Sequence, residues 1–377
     1  MRAAIYCSQM LPMGGSERVV LDAIEALVRL GWDVDLYVET NFNPSDLVAG
    51  FGSPASLRCR VHVRKLPPGF RYPRAASSRI HLDWAWSLLE KRVGECDVFI
   101  DTVPFINSHF SPYLRIPDAV YWNLLPSDLS WMTNERNILK RLYLVPLRVL
   151  ARSCAQRWRR IQVHIANSEY TAKGIVERLS VDLHPIVIYP PVDLERWHAR
   201  SGSNARSGVV TLARFEKWKR HDLQLAVARK LKAPFRMIGR ALRDDEVTLL
   251  SHLRAAAVNT PVEFHVNVSQ EQARRILTTS KVFLHTADAE PFGISTVEAI
   301  AAGCIPIVRN NGGTPEIVPF RELRFDTIIE AEEKIRAALE GEYDYLAHQL
   351  QDHIRRFDRK EFQKRFADCL LTASSSQ

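Results

Sequence analysis

Apolar residues in this chain come in short runs, each followed by a loop and then by a stripe of helical spacing. Residues 2–8 form the first run, the loop 9–16 carries Gly14 and Gly15, and 17–30 sets Val20, Ala23, Ile24 and Leu27 near one helical face before Gly31 ends it. Residues 33–38 alternate apolar and polar, as a strand does. Strand, glycine loop, helix, strand predicts the opening of a doubly wound unit. Further strands are expected at 57–66, 98–102, 119–121, 161–166 and 186–189, with helices at 77–92 and after the cap Asn167-Ser168. The same grammar restarts at 209–213. Strands follow at 235–238, 262–265, 282–285 and 304–308, and helices at 223–232, 244–257, 270–278, 297–302 and 329–339. Residues 343–370 read as mostly helical. The Ser/Gly/Asn-rich stretch 199–208 reads as a linker between a first domain, 1–198, and a second, 209–355, with a C-terminal helix at 356–377. The expected fold class is α/β.

Composition adds bounds. A chain of 377 residues suits two domains, and 46% hydrophobic with 25% charged residues is a globular balance. Six scattered cysteines without a CxxC pair read as reduced thiols of a cytoplasmic protein. No run reaches the roughly 18–20 apolar residues of a spanning helix, and residues 2–8 look like a strand, not a signal peptide. The formal charge is +8, and residues 136–160 hold eight basic residues and no acidic one. On a helical wheel Arg141, Arg148, Arg152 and Arg159 fall near one line, although Pro146 must kink the helix. This predicts a basic face toward an anionic membrane surface, against the blander reading of a solvated helix face.

The chemistry concentrates in two loops. One carries Arg214 and Lys219; the other carries Glu290 and Glu298 around Phe292-Gly293-Ile294-Ser295. Two cations suit the charge that gathers on a departing nucleoside diphosphate. One carboxylate suits the paired hydroxyls of a ribose, and a second those of a sugar. Backbone N–H groups of Gly293, Ile294 and Ser295 suit phosphate oxygens. The glycines at 14 and 15 would let backbone approach a phosphate or sugar, or simply shape a turn. The full GxGxxG fingerprint is absent, which weakens a dehydrogenase reading.

These residues resemble the family 4 glycosyltransferases, retaining enzymes of the GT-B architecture. The E-x7-E element stands as Glu290 to Glu298 and the R-x4-K element as Arg214 to Lys219, with His221-Asp222 beyond it. Gly14-Gly15-Ser16-Glu17-Arg18, Asn167 to Thr171, Tyr189 to Asp193 and Gly312 to Glu316 are similar to further landmarks. Leu284-His285-Thr286 and the GGSERVV loop are most similar to the dolichol-linked oligosaccharide mannosyltransferases. The resemblance implies two Rossmann-like domains facing across a cleft, with the C-terminal helix crossing back onto the first. It implies that Arg214 and Lys219 bind the diphosphate, Glu298 the ribose and Glu290 the donor sugar. Phe292, Gly293, Ile294 and Ser295 would line the donor pocket, with Gly14 and Gly15 in the glycine loop of the other domain. It implies no metal and no cofactor beyond the nucleotide sugar, GDP-mannose ahead of a UDP-hexose such as UDP-glucose or UDP-GlcNAc. The acceptor would be a glycan or a lipid-linked one, on the cytoplasmic side of a membrane, with no nucleic acid involved. Where many relatives place a His, Trp122-Asn123 stands here. Asn123 can position a group but cannot act as a general base. A sugar-nucleotide epimerase of the same architecture is the competing enzyme reading, and a nucleic-acid or membrane module the non-enzymatic one.

Overall fold

The computed structural model describes residues 1–7, 10, 14–38, 59–63, 95–102, 117–125, 158–179, 182–198, 206–231 and 233–374. The predicted helix at 77–92, Arg141, Arg148 and Arg152 lie outside the described residues; Arg159 is described and exposed. No helix among the described residues is long and apolar enough to cross a membrane. The chain forms two compact units, residues Met1–Pro191 with Lys360–Gln377, and Val192–Arg359.

The first unit is built on a parallel sheet of β1 (Arg2–Cys7), β2 (Asp33–Val38), β3 (Arg60–Val63), β4 (Val98–Asp101), β5 (Ala119–Trp122), β6 (Val163–Ala166) and β7 (Ile186–Val187). The strand order is β3-β2-β1-β4-β5-β6-β7, so the winding direction reverses between β1 and β4. Strand β1 is buried along most of its length because both its faces are covered. Ala3, Ile5 and Cys7 face α1 (Gly15–Arg29), while Ala4 and Tyr6 pack with Phe99 on the other side. Helix α2 (Glu169–Leu179) follows β6, and the Ser168 hydroxyl accepts the Thr171 N–H at 3.0 Å at its start.

In the second unit β8 (Val209–Leu212), β9 (Phe235–Gly239), β10 (Val262–Val266), β11 (Val282–His285), β12 (Ile305–Arg309) and β13 (Arg324–Phe325) are again all parallel, in the order β10-β9-β8-β11-β12-β13. Here the order reverses between β8 and β11. The helices are α3 (Leu194–Trp197), α4 (His221–Lys230), α5 (Asp244–Ala256), α6 (Gln270–Thr279), α7 (Ile294–Ala301), α8 (Thr314–Ile317), α9 (Ile328–Glu340) and α10 (Ala347–His353). The predicted helix at 297–302 starts three residues earlier, because left-handed Gly293 (φ 111°) opens it. The stretch expected to be mostly helical from 343 is divided by short 3₁₀ turns at Asp344–Leu346 and Ile354–Phe357.

The units part at Pro191/Val192 and Arg359/Lys360, short of the 199–208 stretch read as a linker and beyond the boundary read at 355. At the crossing Val192 bonds Phe357 (3.0 Å) and Arg359 (2.9 Å) through its backbone, and Asp193 pairs with Arg359. This fastens residues 192–197 to the second unit, where Trp197 is buried. The last described helix, α11 (Arg359–Ser374), inserts Phe362, Phe366 and Leu370 into the core of the first unit, where Phe362 meets Tyr121 edge-on and Gln363 bonds Asp22 of α1.

Candidate active site

Ligands of open α/β sheets bind outside the carboxyl ends of the strands where the winding direction reverses. In the second unit those strands are β8 and β11. Their following loops hold Arg214, Lys219 and Glu290. Lys219 sits in a 3₁₀ turn, Lys217–Lys219, and left-handed Arg220 (φ 56°) starts α4 directly after it.

Lys219 Nζ lies 2.5 Å from Glu290 Oε2, and both side chains are nearly buried. His285, at the end of β11, approaches the same oxygen with Nε2 at 3.3 Å. Burial pushes the Glu290 pKa up, but the Lys219 ammonium and the His285 ring outweigh it and hold the carboxyl at about 2. Lys219 also lies over the Trp218 ring, 3.7 Å from its centroid. The site therefore carries a fixed anion and a fixed cation, drawn from two loops, in a place largely closed to water.

Both loops are anchored by buried polar groups. His221 Nε2 donates to the Arg214 carbonyl at 2.9 Å, and its Nδ1 lies 2.8 Å from Gln224 Oε1. Gln224 donates to Thr286 Oγ1 (2.9 Å), which donates to the Lys219 carbonyl (2.9 Å). Desolvation lowers the pKa of the buried His221 ring. This chain of bonds ties both ends of the Arg214–Lys219 segment to the start of the Glu290 loop. Asp288 takes Arg220 from one side (3.2 Å) and Arg309 from the other, and its N–H bonds the Trp218 carbonyl at 3.0 Å.

The loop after β12 packs onto Glu290 through glycine. A Cβ on Gly312 (φ 65°) would lie 2.3 Å from the Glu290 carbonyl oxygen and 2.8 Å from its nitrogen. A Cβ on Gly313 would lie 2.3 Å from the Pro291 oxygen, and the Gly313 N–H donates to the Glu290 carbonyl at 2.8 Å. The Gly-Gly pair is thus the condition for placing the peptide that carries Glu290.

The other expected site residues are distributed as follows. Arg214 is half exposed and pairs with Glu216 at 3.2 Å, which also accepts Arg243 (2.9 Å) and the Trp218 indole N–H (2.8 Å). Glu298 lies buried inside α7. Phe292 is buried against Phe357, ring centroids 5.2 Å apart, so it acts by packing. Ile294 and Ser295 are partly exposed and form the first turn of α7, not a loop ahead of it.

Gly14, Gly15 and Asn123 belong to the first unit. Gly14 precedes α1 with extended backbone (φ −141°), which any residue adopts, and Gly15 is already helical. Trp122 is fully buried against Trp158 and donates to His164 Nδ1 at 3.3 Å. Asn123 donates its amide to the Thr102 carbonyl at 3.0 Å and accepts Asn167 Nδ2 on its own carbonyl at 2.8 Å. It stitches together the loops after β4, β5 and β6. Among the described residues no group of three or more His, Cys, Asp or Glu could hold a metal ion.

Sequence reasoning missed the contributions of His285, Gln224, Thr286 and Asp288. His285 and Thr286 had a signal, as part of the Leu284-His285-Thr286 motif; Gln224 and Asp288 are joined to the site by contacts between positions 60 or more apart in the chain.

Residues 13–196 match the family model described as Glycosyltransferase Family 4, and residues 194–357 the one described as Glycosyl transferases group 1. The GDP-Man:Man(3)GlcNAc(2)-PP-Dol alpha-1,2-mannosyltransferase of Xenopus laevis is 27% identical over 47% of this chain and 40% of its own length. The match therefore spans less than half of that relative. The mouse protein of the same name is 27% identical over 89% of this chain and 76% of its own. Sucrose-phosphate synthase from Thermosynechococcus elongatus shares the fold, with a TM-score of 0.74 at 13% identity over 100% of both chains. With one glycosyltransferase model on each of its two doubly wound units, the chain belongs to the family 4, group 1 glycosyltransferases of GT-B fold.

Proposed function

We propose that this chain transfers mannose from GDP-mannose, with retention of configuration, to a lipid-linked glycan. The observation that carries the reading is the Lys219–Glu290 pair, cation and carboxylate from two loops at the point where the second sheet reverses its winding. The mannosyltransferase relatives support the choice of donor and acceptor, since their names carry GDP-Man and PP-Dol.

In this reading Lys219 leaves Glu290 for the donor's diphosphate, joined by Arg214, and Glu298 holds the ribose hydroxyls. Backbone of Phe292, Gly293, Ile294 and Ser295 lines the donor pocket, and Gly14 and Gly15 are assigned to donor binding as the glycine loop of the first unit. The bond from the anomeric carbon to the phosphate oxygen breaks first, and the sugar gains cationic character beside the Glu290 carboxylate. The acceptor hydroxyl then attacks the same face, forming the new glycosidic bond. Its proton passes to the departing phosphate oxygen, so no protein base is required at Trp122 or Asn123. Asn123 contributes positioning. The cations supply the charge stabilisation, so the reading is metal-independent, and the basic 136–160 segment, Arg159 included, brings the enzyme to an anionic membrane surface on the cytoplasmic side.

Calorimetry with GDP and UDP, followed by a donor panel read by mass spectrometry, tests the donor. GDP binding and GDP-mannose consumption are expected; binding of neither nucleotide would sink the proposal, and preference for UDP would replace the donor. Isomerised donor in the absence of acceptor would mark an epimerase instead. Glu290→Ala should abolish transfer while GDP affinity stays within several fold. Release of the product's mannose by an α-specific mannosidase tests retention, and unchanged turnover in EDTA tests metal independence. Liposome flotation with Arg141, Arg148, Arg152 and Arg159 all changed to Gln tests the surface, and undiminished binding would remove it.

A further inference from the structure

We propose that His285 is a positioning residue for Glu290, its Nε2–H keeping the carboxylate ionised and aimed once Lys219 has turned to the donor's diphosphate. The inference rests on the reading of Glu290 and Lys219 above and adds a residue to it.

Three observations carry it. First, Lys219 Nζ and His285 Nε2 converge on one oxygen, Glu290 Oε2, at 2.5 and 3.3 Å. Lys219 approaches from the turn after β8 and His285 from the end of strand β11, so one partner can leave without the other. Second, the tautomer is determined by the surroundings. A bare Nε2 lone pair at 3.3 Å from a carboxylate oxygen would be repelled, so the proton sits on Nε2. Nδ1 is buried with no hydrogen-bond partner among the described residues. Third, the His285 side chain is only 4% exposed, and it ends β11 inside the sheet's hydrogen-bond register with Val308. The ring is held by the strand, not by the loop that must adapt to substrate.

The consequence follows from burial. Among the described residues the charged or titratable groups that reach the Glu290 carboxylate are Lys219 and His285. When Lys219 engages phosphate, a buried carboxylate with no remaining donor would take up a proton and lose the charge that stabilises a cationic sugar. The His285 Nε2–H prevents this, and its bond to the charged oxygen tightens as the competing ammonium withdraws.

The test uses the full-length protein. His285→Gln places an amide N–H near the Nε2 position, His285→Asn near the Nδ1 position, and His285→Leu offers neither. We expect GDP affinity within about twofold of wild type in all three, read by calorimetry. Turnover should fall about 10–100-fold in Leu and Asn, with the acid limb of the kcat–pH profile moved upward by a unit or more. Gln should recover most of the rate and of the profile. Equal recovery by Asn, or an unmoved acid limb in Leu and Asn, would overturn the assignment. Loss of GDP binding in all three variants at unchanged wild-type affinity would also overturn it, marking a purely structural ring. Failure of the wild-type protein to bind GDP would overturn the functional reading instead, so the two failures are distinguishable. If Leu does not fold, the Gln and Asn pair decides the question by itself.

Discussion

Replacing Gly312 by alanine offers the sharpest check on how Glu290 is placed. The new Cβ would sit 2.3 Å from the Glu290 carbonyl oxygen and 2.8 Å from its nitrogen. Neither atom is the end of a flexible side chain, so the peptide carrying Glu290 must move. The residue would also keep a left-handed backbone (φ 65°), costing about 1–2 kcal/mol for a non-glycine residue. Displacing the peptide weakens the Gly313–Glu290 hydrogen bond, about another 1 kcal/mol. The expected total is about 2–3 kcal/mol of lost stability. A shift approaching 1 Å at the Glu290 peptide should lower kcat by about 10²-fold. Gly341→Ala is the internal comparison. It is left-handed too (φ 94°) and lies in the same unit, but its nearest neighbour is the movable Asp344 carboxylate at 3.0 Å. That variant should lose only the backbone contribution, about 1–2 kcal/mol, and keep its turnover. Urea unfolding followed by the signal of the second unit, together with turnover at saturating GDP-mannose, reads both quantities. Gly312→Ala with wild-type turnover, or with the same stability as Gly341→Ala, would refute the packing argument.

Other expectations follow from neighbouring features. Glu290 has a folded-state pKa of about 2 against an ordinary 4.5, so its stabilising contribution is complete above about pH 4.5 and is lost as pH falls toward 2. Lys219→Met should raise that pKa and shift acid unfolding of the second unit to higher pH, and an unshifted acid transition would argue against the pair. Thr286→Val removes the donor to the Lys219 carbonyl and leaves the Gln224 amide N–H without its Thr286 acceptor, so GDP affinity should drop several-fold, measurable by calorimetry. Phe366→Ala should destabilise the first unit by about 3–5 kcal/mol, because the ring is fully buried against its core; thermal unfolding resolved by unit would show it.

The strands were legible because parallel strands covered on both faces are short, continuous apolar runs, and β2 and β11 match the residues read for them. The start of α7 was misread, since a helix opened by left-handed Gly293 has no Ser, Thr or Asp to announce it. Short β13 and α8 carry too few residues to show a period. At the site, Arg214, Lys219 and Glu290 were visible as residue types in the right order. Their division was not: Lys219 reaches Glu290, whereas Arg214 reaches Glu216, and a choice among partners is settled by geometry at a distance in sequence. The same holds for Gly312, which read only as part of the Gly312 to Glu316 landmark and is required by the backbone of Glu290.

The exchange of chain at Val192 and Arg359 has a bearing on how the protein is made. The second unit is an insertion within the first, complete once residue 359 has been synthesised. The first unit begins at the amino terminus yet still lacks Phe362, Phe366 and Leu370 at that moment. Synthesis from the amino terminus thus finishes the later unit before the earlier one. Until α11 has emerged from the ribosome, the part of the first unit's core that Phe362, Phe366 and Leu370 fill stays open, and that interval is when a nascent chain of this design most needs a chaperone.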